Sequence, residues 1–288
     1  MPSWTRRREK YRAILEGTTC VHPASVHDAI SVRIAADLGF ELGMFAGSVA
    51  SLTVLGAPDL IVLTLTEFAD QAYRISRGAD LPVMVDADHG YGNALNVMRT
   101  VEELENAGVA GLSIEDTELP QPFGGGGKPS LIPVEEGAGK VRAAVAARSD
   151  PGLVIAGRTS AAAFAGIDEA IVRARAYEEA GADAIFLVGV KTPEDLEKAA
   201  GAVKLPLIIG GAGPGMSDRD WLAARNVRVC LQGHQPFAAA VQAIHATMKA
   251  LRDGTPPKEL PNLPSAELIA NAQRKDDYDS WVKAYLDG

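Results

Sequence analysis

Apolar runs in this chain repeatedly end in residues that can do chemistry. The stretch VMVDADHGYGN (83–93) passes from an apolar segment directly into Asp86 and Asp88, then into a glycine turn. The run 109–116 ends in Glu115 and Asp116, the run 153–160 in Arg158 and Ser160, and the run 227–234 in His234. Upstream, 42–48 ends in Gly47 and Ser48, and Asp59 lies in the loop LGAPDLIVLTLTEF (55–68) that follows. Strand side chains alternate faces, so a strand over 81–88 predicts that Asp86 and Asp88 point the same way. Two like charges side by side are costly unless something positive lies between them; the competing reading is turn chemistry, which also favours Asp and Gly.

The types narrow the chemistry. Asp59, Asp86, Asp88 and Glu115 are oxygen donors without a clustered His or Cys set, which favours a hard divalent ion, Mg2+ or alternatively Mn2+. Mg2+ keeps several waters, so one direct carboxylate is expected, with the others acting through water. Arg158 offers a planar fork for a carboxylate or phosphonate, or else an internal ion pair with one of the acids. His234 can donate to an anion or transfer a proton, or can be a satisfied turn residue. His89 is expected to point away from its acidic neighbours, and His22, His27 and His245 read as structural.

These residues need elements to bring them together. Eight nearly continuous apolar runs (18–22, 42–48, 81–88, 109–116, 153–160, 184–190, 205–212 and 227–234) are each followed by a helical stretch. Continuous rather than alternating apolar runs are the mark of parallel strands covered on both faces. Gly39, Gly108 and Gly181 recur at helix-to-strand junctions, where a left-handed residue ends a helix. Eight such units predict a (β/α)8 TIM-type barrel, whose active site forms at the C-terminal ends of the strands. A doubly wound sheet is the competitor, but no Gly-rich dinucleotide turn follows the first run. Phe237, Val241, Ile244, Met248 and Leu251 mark one face of an amphipathic helix. The domain expectation is a catalytic barrel over 1–253, then a Pro-rich linker and a final helix over 254–288 that packs on a partner subunit or frays.

Composition excludes other classes. The 288 residues are 47% hydrophobic and 23% charged, with net charge −9, which supplies no basic excess for nucleic acid. The charged start MPSWTRRREKYRAILEG does not read as a signal peptide, and no run of about 18 apolar residues suggests a membrane span. Cys20 and Cys230 sit in apolar runs and read as buried free thiols of a reducing cytoplasm.

The segments PD…TLTEF, DADHGYGN, AGVAGLSIEDT, GRTSAA and YEEAGADAIF together resemble the isocitrate lyase / phosphoenolpyruvate mutase superfamily over nearly the whole chain. AGSVASL and DADHGYGNALNVMRTV are most similar to its Mg2+-dependent oxaloacetate decarboxylase branch. The resemblance implies Asp86 as the direct metal ligand, with Asp59, Asp88 and Glu115 holding its waters. It implies that Ser48, with the neighbouring amides of Gly47 and Val49, binds a substrate carboxylate, that Arg158 binds substrate, and that His234 stands at the decarboxylase's histidine position. It also implies a homotetramer, a dimer of dimers with the final helix exchanged.

Two departures bear on the activity. The loop PFGGGGKPSL (122–131) lacks the Cys and His that the lyases carry there, and Gly124 to Gly127 offer no phosphoryl-binding side chain. The seventh run ends LIIGGAGPGM (207–216), bare of polar side chains, where glycine amides would have to serve an anion instead. The expected activity is decarboxylation of the α-keto acid oxaloacetate to pyruvate and CO2 through a metal-stabilised enolate, which needs an electron sink and no cysteine. The alternatives are a C–C or C–P lyase or hydrolase of the same superfamily, of 2-methylisocitrate lyase or phosphonopyruvate type, and a non-catalytic barrel that binds a dicarboxylate.

Overall fold

The computed structural model describes residues 4–124, 126–127 and 129–287; residues 1–3, 288, and Gly125 and Lys128 of the Gly-rich loop lie outside the described residues. Among the described residues the apolar runs form eight strands. They are β1 (Ala24–Ser25), β2 (Gly43–Phe45), β3 (Val83–Asp86), β4 (Gly111–Glu115), β5 (Val154–Thr159), β6 (Ala184–Leu187), β7 (Leu207–Ile209) and β8 (Val227–Cys230). Each pairs in parallel with the next in sequence order. Val21 pairs with Val229, its N–H donating to Arg228 O at 2.9 Å, and this bridge joins the two ends of the sheet into a barrel. The (β/α)8 expectation is thereby met.

The first strand differs from the expected 18–22. Val21 pairs with the last strand, whereas Ala24 and Ser25 pair with Gly43 and Met44 of β2. Between them stands Pro23, which has no N–H to give to a ladder, so the edge is handed from one neighbour to the other around it.

The helices begin where cap chemistry allows. After α1 (Trp4–Glu16), α2 (Ala29–Asp37) starts from Asp28, whose carboxylate accepts the Ser31 N–H at 2.7 Å. β2 is followed by a short turn, α3 (Gly47–Ala50), so that strand ends at Phe45 rather than at Gly47–Ser48. Then come α4 (Leu65–Ser76), capped by Thr64 and Glu67 in a reciprocal box, and α5 (Ala94–Asn106), capped by Asn93. The wall continues with α6 (Val134–Ala147), α7 (Ala161–Phe164), α8 (Ile167–Glu179), α9 (Pro193–Ala200) and α10 (Arg219–Ala223). Gly39, Gly108 and Gly181 take φ of 81°, 81° and 95°, the left-handed helix ends that the junction pattern predicts. Phe45 stacks on Phe68 at 5.0 Å between β2 and α4, both fully buried.

At the N-terminal ends of the strands α1 closes the barrel. Tyr11 is buried and lies so near Gly111 that a Cβ there would come within 2.7 Å of its ring. Arg8 donates to Val109 O at 3.1 Å, Glu105 O at 2.6 Å and Asp150 at 2.8 Å. Arg12 reaches Gly152 O at 3.1 Å and Asp183 at 3.0 Å.

The chain divides into two compact units, 1–233 and 234–288. The second contains α11 (Gln235–Arg252), a 3-10 turn at Pro257–Glu259, α12 (Ala266–Gln273) and α13 (Lys275–Tyr285). The final helix expected as one element is two. Arg274 adopts φ of 59°, and its N–H closes onto Ala270 O and Asn271 O, which ends α12 and restarts the helix. On α11 the expected apolar face forms, with Val241, Ile244, Met248 and Leu251 all exposed. No helix of the described residues is long and apolar enough to cross a membrane.

Candidate active site

Register decides which strand-end residues become neighbours. Asp86, the last residue of β3, pairs with Ser113 of β4, and Glu115, the last residue of β4, pairs with Arg158 of β5. Ser113 Oγ donates to Asp86 Oδ1 at 3.3 Å, and Thr117 Oγ1 donates to Glu115 Oε2 at 2.9 Å. Arg158 inserts its fork between the acids: Nη1 donates to Asp86 Oδ2, and Nη2 lies 3.4 Å from Glu115 Oε2. The internal ion pair weighed for this arginine is therefore present. Its guanidinium also stands over the Phe186 ring at 5.4 Å, and its buried Nε has no hydrogen-bond partner among the described residues.

Asp88 joins by another route than strand alternation. β3 stops at Asp86, and Asp88 takes φ of 47°, a left-handed turn that folds it back so that its N–H donates to Asp86 Oδ1 at 3.2 Å. Its carboxylate lies against the first residue of α3. A Cβ on Gly47 would meet both Asp88 oxygens at 2.8 Å, so only glycine admits this approach. Ser48, half-buried, is the next residue along that turn, and Val49 after it is buried. Asp59 is exposed as a residue on the 56–64 loop, and its carboxyl feels both Asp86 and Arg158.

The electrostatics follow from crowding. Burial pushes Asp88 well above its ordinary 3.8, and Asp86, Glu115 and Asp59 push it further, with Arg158 opposing. Burial likewise raises Glu115, which Arg158 partly offsets and Asp86 reinforces. Asp59 is raised by desolvation and then by Asp86. Burial works to lower the Arg158 value, but Asp86 and Glu115 outweigh it and the guanidinium stays charged. Four carboxylates thus meet one guanidinium.

One expected member is placed elsewhere. Asp116 does not face the mouth: adjacent strand-end residues point to opposite sides, and its carboxylate accepts Tyr177 Oη–H at 2.6 Å and Arg173 Nη1 at 3.2 Å from α8. His234 is the N-cap residue of α11 and the first residue of the second unit. His89 is buried, Nδ1 has no partner among the described residues, and burial with the nearby Lys140 lowers it to about 4. Cys20 and Cys230 are free and buried, which pushes them up to about 12 and about 11 and leaves no nucleophile there.

Some contributors escaped the sequence reading. Ser113 stands two residues before Glu115 on one strand, so period two would have found it. Lys140 is the one charged residue among Gly137, Ala138, Val141 and Ala144 on the buried face of α6. It lines a cleft of about 360 Å3 together with Gly92, Asn93, Thr117, Glu118 and Ile132.

The donor set fits a hard divalent cation on its own chemistry: oxygen ligands only, and a buried negative excess that a dication would relieve. No three His, Cys, Asp or Glu side chains form a ready ligand cluster among the described residues. Fold and site together define a (β/α)8 barrel with an acidic mouth at its C-terminal face. A family profile described as phosphoenolpyruvate phosphomutase matches residues 12–252, and the chain belongs to that family. An oxaloacetate decarboxylase from a Bradyrhizobium species is 59% identical over 281 residues, 98% of this chain and 97% of the relative. The structure of phosphonopyruvate hydrolase with oxalate and Mg2+ is similar with a TM-score of 0.85 at 28% identity, covering 97% of this chain and 99% of that one. Oxaloacetate acetylhydrolase bound to 3,3-difluorooxalacetate gives 0.82 at 29% identity, covering 97% of each chain.

Proposed function

We propose that this protein is an enzyme that decarboxylates oxaloacetate to pyruvate and CO2 with Mg2+, or Mn2+ in its place. The observation that carries the reading is the acidic mouth with its single guanidinium, in a chain 59% identical over nearly its full length to an oxaloacetate decarboxylase. Asp86 is the residue assigned to hold the ion directly, with Asp59, Asp88 and Glu115 orienting its waters. Loss of CO2 from a β-keto acid leaves an electron pair that needs a sink, and a divalent cation supplies it as a Lewis acid at the ketone.

The chain's own groups bind and orient. Arg158, whose Nε has no partner among the described residues, has donors for a substrate carboxylate, and a substrate anion there would share the fork with the acids. The Ser48 hydroxyl and the amides of Gly47 and Val49, at the start of α3, are assigned to a second substrate carboxylate. His234 is assigned to the departing carboxylate or the developing negative charge. Neither this chemistry nor the loop at 122–131 calls for a cysteine, and none is present there.

The test is pyruvate formation from oxaloacetate with Mg2+ and with EDTA, coupled to lactate dehydrogenase. Mg2+-dependent pyruvate well above the uncatalysed rate is expected, and its absence overturns the reading. A hydrolase acting on the same substrate would instead release oxalate and acetate, which the same samples report. The assembly is proposed to be a homotetramer in which residues 254–288 pack on a partner subunit beside the 1–253 barrel. Exposed Leu268, Ile269, Trp281, Val282 and Tyr285 support this. Truncation after Pro261 should lower the mass seen by light scattering; an unchanged mass would count against helix exchange.

A further inference from the structure

Between β3 and α5 the backbone turns through four residues of positive φ, Asp88 at 47°, Gly90 at 78°, Tyr91 at 59° and Gly92 at 147°. Two of them are not glycine, and such residues persist in this region only where their surroundings over-determine the conformation. Three consecutive carbonyls of the turn are each met by a donor from a different element. Glu115 N–H of β4 donates to Asp88 O at 2.8 Å. Lys140 Nζ of α6 donates to His89 O at 3.0 Å, and Thr100 Oγ1 of α5 donates to Gly90 O at 3.0 Å. Lys140 is 4% exposed and Thr100 is fully buried. The turn also lies flush on α5, since a Cβ on Gly90 would stand 2.3 Å from Val97 Cγ2.

We infer that Lys140 and Thr100 are positioning residues that hold the Asp88–Tyr91 turn from outside the barrel and so set where the Asp86 and Asp88 carboxylates stand relative to each other. The inference rests on reading those carboxylates as the cation site. A lysine ammonium withdrawn from water onto a carbonyl is a cost to the fold that an apolar residue on the same helix face would avoid. The gain is a fixed turn. Both side chains act through main-chain atoms of the segment that bears the two carboxylates.

Thr100→Val removes the hydroxyl while keeping the shape, Thr100→Ser keeps the donor, and Lys140→Met removes the ammonium. Two readouts decide: the Mg2+ dissociation constant by calorimetry, and amide hydrogen exchange across 88–92 in the metal-free protein. Thr100→Val should weaken Mg2+ about 10-fold, with Lys140→Met toward about 100-fold, the range for outer-shell partners. Exchange across the turn should speed about 3- to 10-fold, as expected for one lost buried hydrogen bond. Thr100→Ser should restore both. A purely structural role would lower the melting temperature and leave both readouts at the parent values, which would overturn the inference. If Lys140→Met fails to fold, the two Thr100 variants carry the test. If the parent binds no Mg2+, the cation reading falls, and the exchange rates still decide whether these residues hold the turn.

Discussion

The two ends of the barrel handle charge in opposite ways. At the N-terminal end, Arg7, Arg8, Lys10 and Arg12 of α1 meet Asp80, Asp150, Asp183 and a row of main-chain carbonyls. Each of these carboxylates has at least one cation, with Arg6, Arg7 and Lys10 all on Asp80, and Asp80 and Asp150 titrate below their ordinary values because hydrogen bonds from Lys10, Arg6 and Arg8 outweigh their desolvation. At the C-terminal end Asp59, Asp86, Asp88 and Glu115 surround Arg158, the one cation paired with them by an ion pair among the described residues, and three of the four titrate high. A matched, partly buried network holds a fold together, whereas an unmatched one stores repulsion that a ligand can relieve. The first end is built to stay shut and the second to bind.

The sharpest test removes the central acid of the mouth. Asp86→Ala should abolish calorimetric Mg2+ binding and cut turnover on the order of 1000-fold, the scale for a preorganised electrostatic group. Its melting temperature should hold, because Asp88 and Glu115 lose a like-charged neighbour. Retained Mg2+ affinity would break the assignment.

The mirror experiment is Arg8→Ala at the base. It removes the cation partner of Asp150 and the Arg8 donor to Val109 O, while Glu105 O keeps the Gly108 N–H, at a cost of about 3 to 5 kcal/mol. Urea unfolding should show that loss, while Mg2+ affinity of the folded fraction stays at the parent value. A base variant that also lost the cation would erase the distinction between the ends.

His234→Gln sharpens the catalytic side. Mg2+ binding should persist while kcat drops on the order of 100-fold, as for a single acid-base or electrostatic group. A variant that melts earlier with kcat intact would return His234 to a structural role.

The smallest effect is in pH. At the mouth the folded values of Asp59, Asp88 and Glu115 lie above the ordinary 3.8, 3.8 and 4.5. The metal-free folded state therefore holds more protons than the unfolded chain in the window above those values, and stability falls as pH rises through the raised folded values. At the base Asp80 and Asp150 lie below 3.8, so their contribution is present above that value and is lost as pH falls through the lowered folded values. Melting temperatures from pH 3 to pH 8 should separate the two: Asp88→Asn flattens the decline on the alkaline side, and Asp150→Asn flattens the loss on the acid side. Added Mg2+ should blunt only the former. Identical profiles for both variants would contradict the opposite charge balance.

The sequence by itself determined the eight strand units, the glycine helix ends at 39, 108 and 181, and the placing of Asp86, Glu115 and Arg158 at the mouth. Each of these is written in a local pattern: an apolar run, a turn residue, a charge where the run stops. Tertiary structure decided everything that depends on a distant partner. Pro23 splits the first strand because two different neighbours compete for its edge. Asp88 reaches the mouth through a left-handed turn rather than strand alternation, and Gly47 is needed because that carboxylate comes to rest on it. Asp116, one residue from Glu115, belongs to Arg173 and Tyr177 on the far side of the strand. Thr100 and Lys140 are unremarkable helix residues until packing of α5 and α6 on the barrel brings both under one loop. Periodicity fixes which face a residue occupies, but the partner it meets there is set by register and by the packing of elements remote in sequence.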